Sequence, residues 1–110
     1  MLDDLEKNIH VNLLFDIYGK LLTNTQQKMI ELYYHDDLSL GEISELEGVS
    51  RNAVFDSIKK GIKTLEDYED KLHILAKEEK MNNFFEELRK TNLSKEQEEL
   101  LKLIIEKEHE

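Results

Sequence analysis

One short stretch of this chain, residues 38–65, contains the signals that start and stop two consecutive helices. Ser39 and Glu42 have the spacing of a capping box, in which a hydroxyl and a carboxylate satisfy backbone amides at a helix start. Gly48 stands where that helix must stop, because glycine takes the left-handed conformation without steric cost. Ser50 has the position of an N-cap for a second helix that begins one residue later. A short helix, a turn with glycine and a longer helix are what a helix-turn-helix requires.

The apolar side chains of both helices recur at helical spacing, which predicts the face that each helix buries. The first helix is expected to bury Leu40, Ile43 and Leu46 and to expose Glu42, Glu45 and Glu47. Val49 is expected to fill the turn. The inward stripe of the second helix is expected to be Val54, Ile58, Ile62 and Leu65. Its outer face should then hold Arg51, Asn52, Phe55, Asp56, Lys59, Lys60 and Lys63.

The distribution of charge distinguishes the second of these helices. Residues 51–63 hold four basic side chains and one acid, a net charge of +3, although the whole chain has a net charge of -10. Nucleic-acid affinity comes largely from neutralising phosphates, and a domain dedicated to that task usually has a pI above about 9. The pI of this chain is near 4.9. The pattern therefore limits any nucleic-acid contact to this helix and leaves the rest of the surface acidic.

The remaining composition favours helices as well. The chain has no proline, only four glycines and 36% charged residues, which is typical of long helices with solvated faces. A first helix is expected after Asp3 or Asp4 and should end at Gly19, with an apolar side of Leu5, Ile9, Leu13 or Leu14, and Ile17. A second helix is expected from a Thr23 cap, with Gln26 three residues on, and should use Met29, Ile30, Tyr33 and Tyr34. The predicted fold class is all-α, a helix-turn-helix bundle.

Residues 73–110 are predicted to be a helical extension that follows a helix-turn-helix domain at residues 1–72. One amphipathic helix is indicated by Met81, Phe84 or Phe85, and Leu88. Ser94 and Gln97 have the spacing of a capping box for a last helix whose apolar side is Leu100, Leu101, Ile104 and Ile105. This much apolar surface should be buried on the domain or on a second subunit, and we favour a homodimer.

A stripe of apolar residues also continues beyond the basic segment at alternating spacings of three and four: Leu65, Tyr68, Leu72 and Leu75. Such spacing is the a/d seam of a short coiled coil, and it predicts a dimer seam. Two heptads fall short of the three or four that identify a coiled coil, so packing of this stripe on the protein's own first helix is the alternative.

The sequence offers little to an enzyme. The four histidines are scattered without a helical metal-binding pair, no glycine-rich phosphate loop is present, and no serine or threonine has a base beside it. The absence of cysteine removes disulfides and thiolate chemistry. The cluster His35-Asp36-Asp37 is what a metal could use, but a polar turn between helices needs the same residues for capping. We therefore predict no catalytic residue, no metal and no cofactor.

The sequence also predicts a soluble, cytoplasmic protein that does not insert into a membrane. No window holds the roughly twenty apolar residues that a membrane span needs. The beginning of the chain, MLDDLEKN, lacks the basic and then apolar pattern of a secretory signal.

Residues 11–72 resemble the YlxM family of small bacterial helix-turn-helix proteins and, more distantly, the promoter-recognising C-terminal domain of sigma factors. The pieces that carry the resemblance are Leu32-Tyr33-Tyr34, Asp36-Asp37, Glu42-Ile43, Ser50-Arg51, Ala53-Val54 and Asp56. Residues 73–110 match only as a charged helical tail. The resemblance implies a bundle like that sigma-factor domain, without a wing, and a cytoplasmic regulator that serves the signal recognition particle pathway, since the YlxM gene usually lies beside those of that particle.

The chain departs from the usual motif at two positions of the first helix. Ser44 stands where such motifs usually have alanine, and Glu47 stands where an apolar residue often precedes the turn. Leu46 is expected to take over the packing role of that missing apolar residue.

Two functions remain in view. In the first, the outer face binds DNA or signal recognition particle RNA: Arg51 contacts a phosphate or a guanine, Asn52 an adenine edge, and three lysines hold the backbone. The residues assigned to nucleic acid are Ser50, Arg51, Asn52, Lys59, Lys60 and Lys63. In the second, Phe55 and Asp56 contact a basic protein component of the targeting pathway, because an outward aromatic residue often marks a protein contact. The alternative for Phe55 is that it turns sideways into the core.

Overall fold

The structure is a computed structural model that describes the backbone of residues 2–108 and the side chains of residues 7–107. Six α-helices follow one another in this part of the chain, which contains no strand: α1 Leu2–Tyr18, α2 Asn24–Ile30, α3 Leu40–Glu47, α4 Arg51–Leu72, α5 Ile74–Arg89 and α6 Lys95–Glu108. The predicted all-α class is therefore confirmed. The chain divides into two compact units, Met1–Leu75 and Ala76–Glu110.

The core of the first unit forms where α4 packs against α1, α2 and α3. Its fully buried side chains, none more than 1% exposed, are Val11, Leu14, Tyr18, Ile30, Ile43, Val54 and Leu65. Leu22, Met29, Ile58 and Leu75 extend the same cluster. Burial of such side chains supplies most of the free energy that holds a small helical unit together.

The buried face of α1 differs from the face that the sequence suggested. Ile9 and Leu13 are exposed, whereas Val11, Leu14 and Tyr18 are buried. Of the predicted apolar side, Leu14 is buried and Ile17 is partly buried against the core. Two overlapping apolar stripes run along this helix, and tertiary packing selects the one that meets α4. The side chain of Leu5 lies outside the described residues.

The second helix begins as predicted and ends differently. Thr23 Oγ1 accepts the Gln26 N–H at 3.2 Å, and Gln26 Oε1 accepts the Thr23 N–H at 3.2 Å, so the predicted capping box is present. After Ile30 the chain winds into a wider π-helical turn, Glu31–His35. This turn separates Tyr33, which is exposed, from Tyr34, which is half-buried.

Gly61 allows α4 to cross α2 at close range. A methyl group at this position would lie 2.8 Å from Ile30 Cδ1 and 3.4 Å from Gln26 Cβ. Ile30 is completely buried and has little room to move. The absence of a side chain at Gly61 therefore sets the separation of the two helices, and Ile62, expected inside, is only partly buried beside it.

The end of α4 is joined to the start of α5 by a partly buried hydrogen-bond cluster. Glu69 Oε1 accepts the Tyr18 hydroxyl at 2.8 Å and the Leu75 N–H at 2.9 Å. The Ile74 N–H donates to the same Tyr18 hydroxyl at 3.3 Å. Between the helices His73 takes a left-handed conformation, with φ 55°. Glu69 thus satisfies an amide at the start of α5 and holds α1 against α4.

The predicted seam does not form one continuous stripe, because α4 ends at Leu72 and Leu75 belongs to α5. Leu65 and Leu75 are buried in the first unit, and the Tyr68 ring stacks on Tyr18 with centroids 5.8 Å apart. Leu72 is 46% exposed. Leu65, Tyr68 and Leu75 therefore pack within the first unit, and the dimer seam stays a prediction.

The second unit has few buried side chains of its own. Phe85 and Leu101 are buried, whereas Met81, Phe84, Leu100, Leu103 and Ile104 are exposed. Ser94 and Gln97 form the predicted capping box at the start of α6, with hydrogen bonds of 2.9 and 3.2 Å. Of the apolar side predicted for α6, Leu100 and Ile104 point outward in this unit.

Candidate nucleic-acid interface

The turn between α3 and α4 is held by backbone caps at both helix starts. Ser39 Oγ accepts the Glu42 N–H at 3.0 Å, and Glu42 Oε1 accepts the Ser39 N–H at 3.1 Å. Gly48 is left-handed, with φ 69°. Ser50 Oγ accepts the Ala53 N–H at 3.0 Å and so caps α4. Both predicted caps and the glycine turn are confirmed, so the sequence specifies the direction in which α4 leaves the turn.

Packing around this turn corrects three expectations. Leu46 is 63% exposed and Val49 41% exposed, so neither of them fills the turn. Glu47 does not point freely to water: its side chain is mostly buried, and its carboxylate lies 3.0 Å from Lys28 Nζ of α2. The ion pair with Lys28 compensates an acid at a position that usually holds an apolar residue.

Arg51 lies beside the first turn of α3. A methyl group at Gly41 would be 4.0 Å from Arg51 Nε and 3.8 Å from Ser39 Oγ, which are ordinary contact distances. Ser44, the other departure from the usual motif, donates its hydroxyl to the Gly41 carbonyl at 2.8 Å. Its polar atom is therefore satisfied within α3.

The residues predicted to contact nucleic acid are all exposed: Ser50, Arg51, Asn52, Lys59, Lys60 and Lys63. Four of them are cationic, Arg51, Lys59, Lys60 and Lys63, and within residues 7–107 no ion pair involves any of these four. Asp56 is exposed as well and lies one helical turn from Asn52 and from Lys60. The outer face of the first half of α4 is thus cationic with one acid at its centre.

Phe55 is not part of the core but 51% exposed. It lines an open groove of about 530 Å³ on the flank of α4, together with Tyr33, Tyr34, Lys7, Lys59 and Lys63. Leu40, Ile58 and Ile62 supply apolar lining to this groove, and Glu66 is the acidic residue in its lining. The expectation that Phe55 faces outward agrees with the structure, and the alternative of a core position does not.

A second open groove, of about 520 Å³, shares Lys7, Tyr33 and Tyr34 with the first. Its remaining charged residues are Asp37 and Glu42. The first groove therefore has three cations and one acid in its lining, whereas the second has one cation and two acids. The two tyrosines form an aromatic wall that both grooves share, and the net charges of the two linings have opposite signs.

Tyr34 keeps its proton in this wall. Burial raises the pKa of the Tyr34 hydroxyl above its usual 10.0, and the neighbouring Tyr33 raises it further. The two rings meet edge to face, with centroids 5.0 Å apart.

Sequence reasoning found the cations of α4 and missed the groove beside them. Lys7, Tyr33 and Phe55 come from three different elements, and no local pattern joins positions so far apart in the chain. The only local signal was the outward position of Phe55 on a basic helix.

The remaining polar cluster, His35-Asp36-Asp37, is organised as a helix end. His35 packs edge to face on Phe15, with centroids 5.5 Å apart, and Asp37 takes a left-handed conformation with φ 56°. Among the residues that the structure describes, no group of three or more acidic or histidine side chains is arranged to hold a metal ion. In the same part of the chain, no helix has the length and apolar character needed to span a bilayer.

A capped short helix, a left-handed glycine turn and a longer helix with an exposed basic first half define a helix-turn-helix protein. Residues 5–104 match the model of a family described as "Putative helix-turn-helix protein, YlxM / p13 like". The chain belongs to this family, as the resemblance predicted. The description refers to a helix-turn-helix protein and not to a class of enzyme.

Individual relatives resemble the chain over most of its length. The UPF0122 protein YlxM of Bacillus subtilis (strain 168) is 48% identical over 101 residues, which cover 91% of this chain and 92% of the relative. The UPF0122 protein BH2485 of Halalkalibacterium halodurans is 51% identical over 85 residues, 77% of this chain and 78% of the relative. A UPF0122 protein of Streptococcus pneumoniae (strain Hungary19A-6) is 46% identical over 102 residues, 89% of this chain and 93% of the relative.

Proposed function

We propose that this protein is a nucleic-acid-binding regulator that acts in the signal recognition particle pathway. The observation that carries the proposal is the set of four exposed cations without ion-pair partners in the described structure, all within residues 51–63 of an acidic chain. In docked helix-turn-helix proteins the beginning of the second helix reaches base edges and its flanks hold phosphates. The pathway rests on the family resemblance and not on residue chemistry.

Each residue of the outer face has a role that its chemistry supports. Arg51, at the first position of α4, donates to a phosphate or to a guanine edge, and Asn52 pairs with an adenine edge. Ser50 remains a cap and brings its backbone close to the phosphates. Lys59 and Lys60 hold the backbone about two turns further on, and Lys63 extends that contact by about one more turn.

The test is a titration of the intact protein against labelled mixed-sequence duplex DNA and against signal recognition particle RNA at two salt concentrations. Four phosphate contacts predict a loss of affinity of about a hundredfold between roughly 50 and 200 mM salt. The variant Arg51→Ala/Lys59→Ala/Lys60→Ala should lose binding and most of the salt dependence.

A matched control removes the same charge elsewhere. Lys77, Lys80 and Lys95 are exposed lysines outside α4, and replacing all three with alanine also lowers the net charge by three. This control should retain nearly all the affinity. Equal loss in both triple variants, or unchanged affinity in the α4 variant, would refute the proposal.

The exposed position of Phe55 supports a second candidate function, a protein-interaction module that binds a basic component of the targeting machinery. Phe55 would supply the apolar anchor, and Asp56 and the acidic surface would attract the partner. Binding to that component, measured by calorimetry, should weaken in Phe55→Ala and in high salt, and should not weaken in Leu72→Ala, which removes another exposed apolar side chain. Binding that survives both Phe55→Ala and high salt unchanged would exclude this mechanism.

A further inference from the structure

The groove beside α4 combines aromatic and cationic side chains, the two kinds with which proteins bind single-stranded nucleic acids. Phe55 and Tyr33 expose aromatic surface to it, and Tyr34 lines it with a half-buried ring. Lys7, from α1, and Lys59 and Lys63, from α4, place three cations around these rings. Its volume of about 530 Å³ lies within the range, roughly 300 to 1,000 Å³, of sites that accept small organic ligands.

The charge of the groove selects an anionic occupant. Its lining has a net charge of +2, from three lysines and Glu66, although the chain as a whole carries -10. The neighbouring groove uses the same two tyrosines and Lys7 but has a net charge of -1, from Asp37 and Glu42. The aromatic wall is common to both, so the lysines of α4 distinguish the first groove as the anionic-ligand side.

Aromatic faces ringed by cations suit an unpaired nucleotide better than a duplex. In a double helix the faces of the bases are stacked on one another, and only their edges and the phosphates reach a protein. An unpaired base presents its face, which stacks on aromatic side chains while the phosphates on either side meet lysines.

We propose that this groove binds an unpaired nucleotide of single-stranded nucleic acid, with the base against Phe55 and Tyr33 and the flanking phosphates on Lys7, Lys59 and Lys63. The inference rests on the proposed nucleic-acid-binding function and specifies its ligand. It adds to the outer face of α4 two residues from other elements, Lys7 and Tyr33, that a duplex docked on that face does not need.

The first experiment measures stacking directly. Single-stranded DNA and RNA oligonucleotides of about 12 nucleotides carry the fluorescent adenine analogue 2-aminopurine, whose emission falls when it stacks on an aromatic ring. Addition of the intact protein should quench this emission, and comparison of the DNA with the RNA distinguishes the two sources of the same chemistry.

Phe55→Leu keeps an apolar side chain of similar reach and removes the aromatic face. It should abolish most of the quenching and weaken single-strand binding by about fivefold or more. Phe55 is half exposed, so the variant should fold, which circular dichroism and the unfolding temperature verify. Phe84→Leu, the same change at an exposed phenylalanine of the second unit, is the control and should leave quenching unchanged.

Lys7 lines the groove but does not belong to the outer face of α4, so its substitution distinguishes binding at the two surfaces. Lys7→Ala should reduce the slope of log affinity against log salt for the single strand by about 0.7 and leave duplex affinity unchanged. Lys20→Ala, another exposed lysine near the opposite end of α1, should change neither.

The outcomes distinguish this inference from the proposed function. Duplex binding that depends on Arg51, Lys59 and Lys60, with no effect of Phe55→Leu or Lys7→Ala on any ligand, would overturn the inference alone. Absence of binding to every nucleic acid would overturn both. A third outcome is that the protein quenches the emission of neither oligonucleotide but binds a synthetic acidic amphipathic peptide, and that Phe55→Leu weakens this binding. The groove would then accept a protein segment, which would also overturn the inference.

Discussion

The two halves of α4 differ in charge and in what their side chains do. Residues 51–63 have four basic side chains and one acid, a net charge of +3, whereas residues 64–72 have one lysine and four acids, a net charge of -3. The cations of the first half are exposed, and no ion pair involves them within residues 7–107. In the second half, the Glu69 carboxylate accepts hydrogen bonds from the Tyr18 hydroxyl and from the Leu75 N–H at the start of α5. Leu65, in the same half, is completely buried.

This difference assigns separate tasks to one continuous helix. The first half presents an outer surface to a ligand, and the second half anchors the helix to α1. Phosphates that approach the second half would meet repulsion from Glu66, Asp67 and Asp70, so the proposed nucleic-acid ligand is expected at the first half. Substitutions of the exposed side chains in the first half are therefore expected to change affinity, and substitutions of the buried or hydrogen-bonded side chains in the second half are expected to change stability.

The largest expected effect is on stability. Leu65→Ala should lower the free energy of unfolding by about 2–5 kcal/mol, because a completely buried leucine leaves a cavity that the core cannot close. Urea denaturation followed by circular dichroism measures it. Leu72→Ala, in the same half but 46% exposed, should cost less than about 1 kcal/mol. Similar losses in the two variants would mean that the second half does not anchor the helix as described.

The next effect concerns the hydrogen bonds at the end of α4. Tyr18→Phe removes the hydroxyl that donates to Glu69 and accepts the Ile74 N–H, so it should cost about 1–3 kcal/mol of unfolding free energy. Tyr68→Phe is the matched control, because its ring stacks on Tyr18 but its hydroxyl has no hydrogen bond among residues 7–107. It should change stability by less than about 0.5 kcal/mol. Equal unfolding free energies for the two variants would contradict the role given to Glu69.

The turn before α4 gives a smaller effect. Gly48→Ala should cost about 1 kcal/mol of unfolding free energy, since φ 69° is strained for a residue with a side chain. Gly41→Ala is the comparison, because a methyl there meets nothing nearer than 3.8 Å and alanine favours a helix. It should leave stability unchanged or slightly raised. A Gly48→Ala variant as stable as Gly41→Ala would show that the left-handed turn is not required.

The smallest effect tests the acid within the cationic face. Asp56→Asn should raise nucleic-acid affinity by roughly fivefold at low salt, because one charge that repels phosphates is removed. Asp67→Asn makes the same change in the second half and should have almost no effect on affinity. A fall in affinity that is specific to sites with cytosine would instead identify Asp56 as an acceptor for a cytosine amino group.

Local signals predicted the starts of four helices and the end of α3 well. The capping boxes at Thr23, Ser39 and Ser94, the cap at Ser50 and the left-handed Gly48 all have their predicted geometry. Each depends on residues within three positions of one another, so no tertiary partner is needed to recognise it. The basic face of α4 followed from the same local spacing.

Features that depend on distant residues were missed. The sequence left Leu13 and Leu14 as alternatives, and the packing of α4 on α1 decides for Leu14. Glu47 was expected to point to water, but its side chain is mostly buried and pairs with Lys28 of α2. The bond between Glu69 and Tyr18 joins positions 51 residues apart. The groove also needs Lys7 to meet α4, and periodicity within one helix contains no information about such a meeting.

An amide chemical-shift map of nitrogen-labelled protein during titration with a short mixed-sequence oligonucleotide tests the central claim most directly. The largest shifts are expected within residues 51–63 and at the groove residues Tyr33 and Tyr34, with little change along residues 64–72. Shifts that are largest along residues 64–72, or spread evenly over both halves of α4, would contradict the division of this helix into a binding half and an anchoring half.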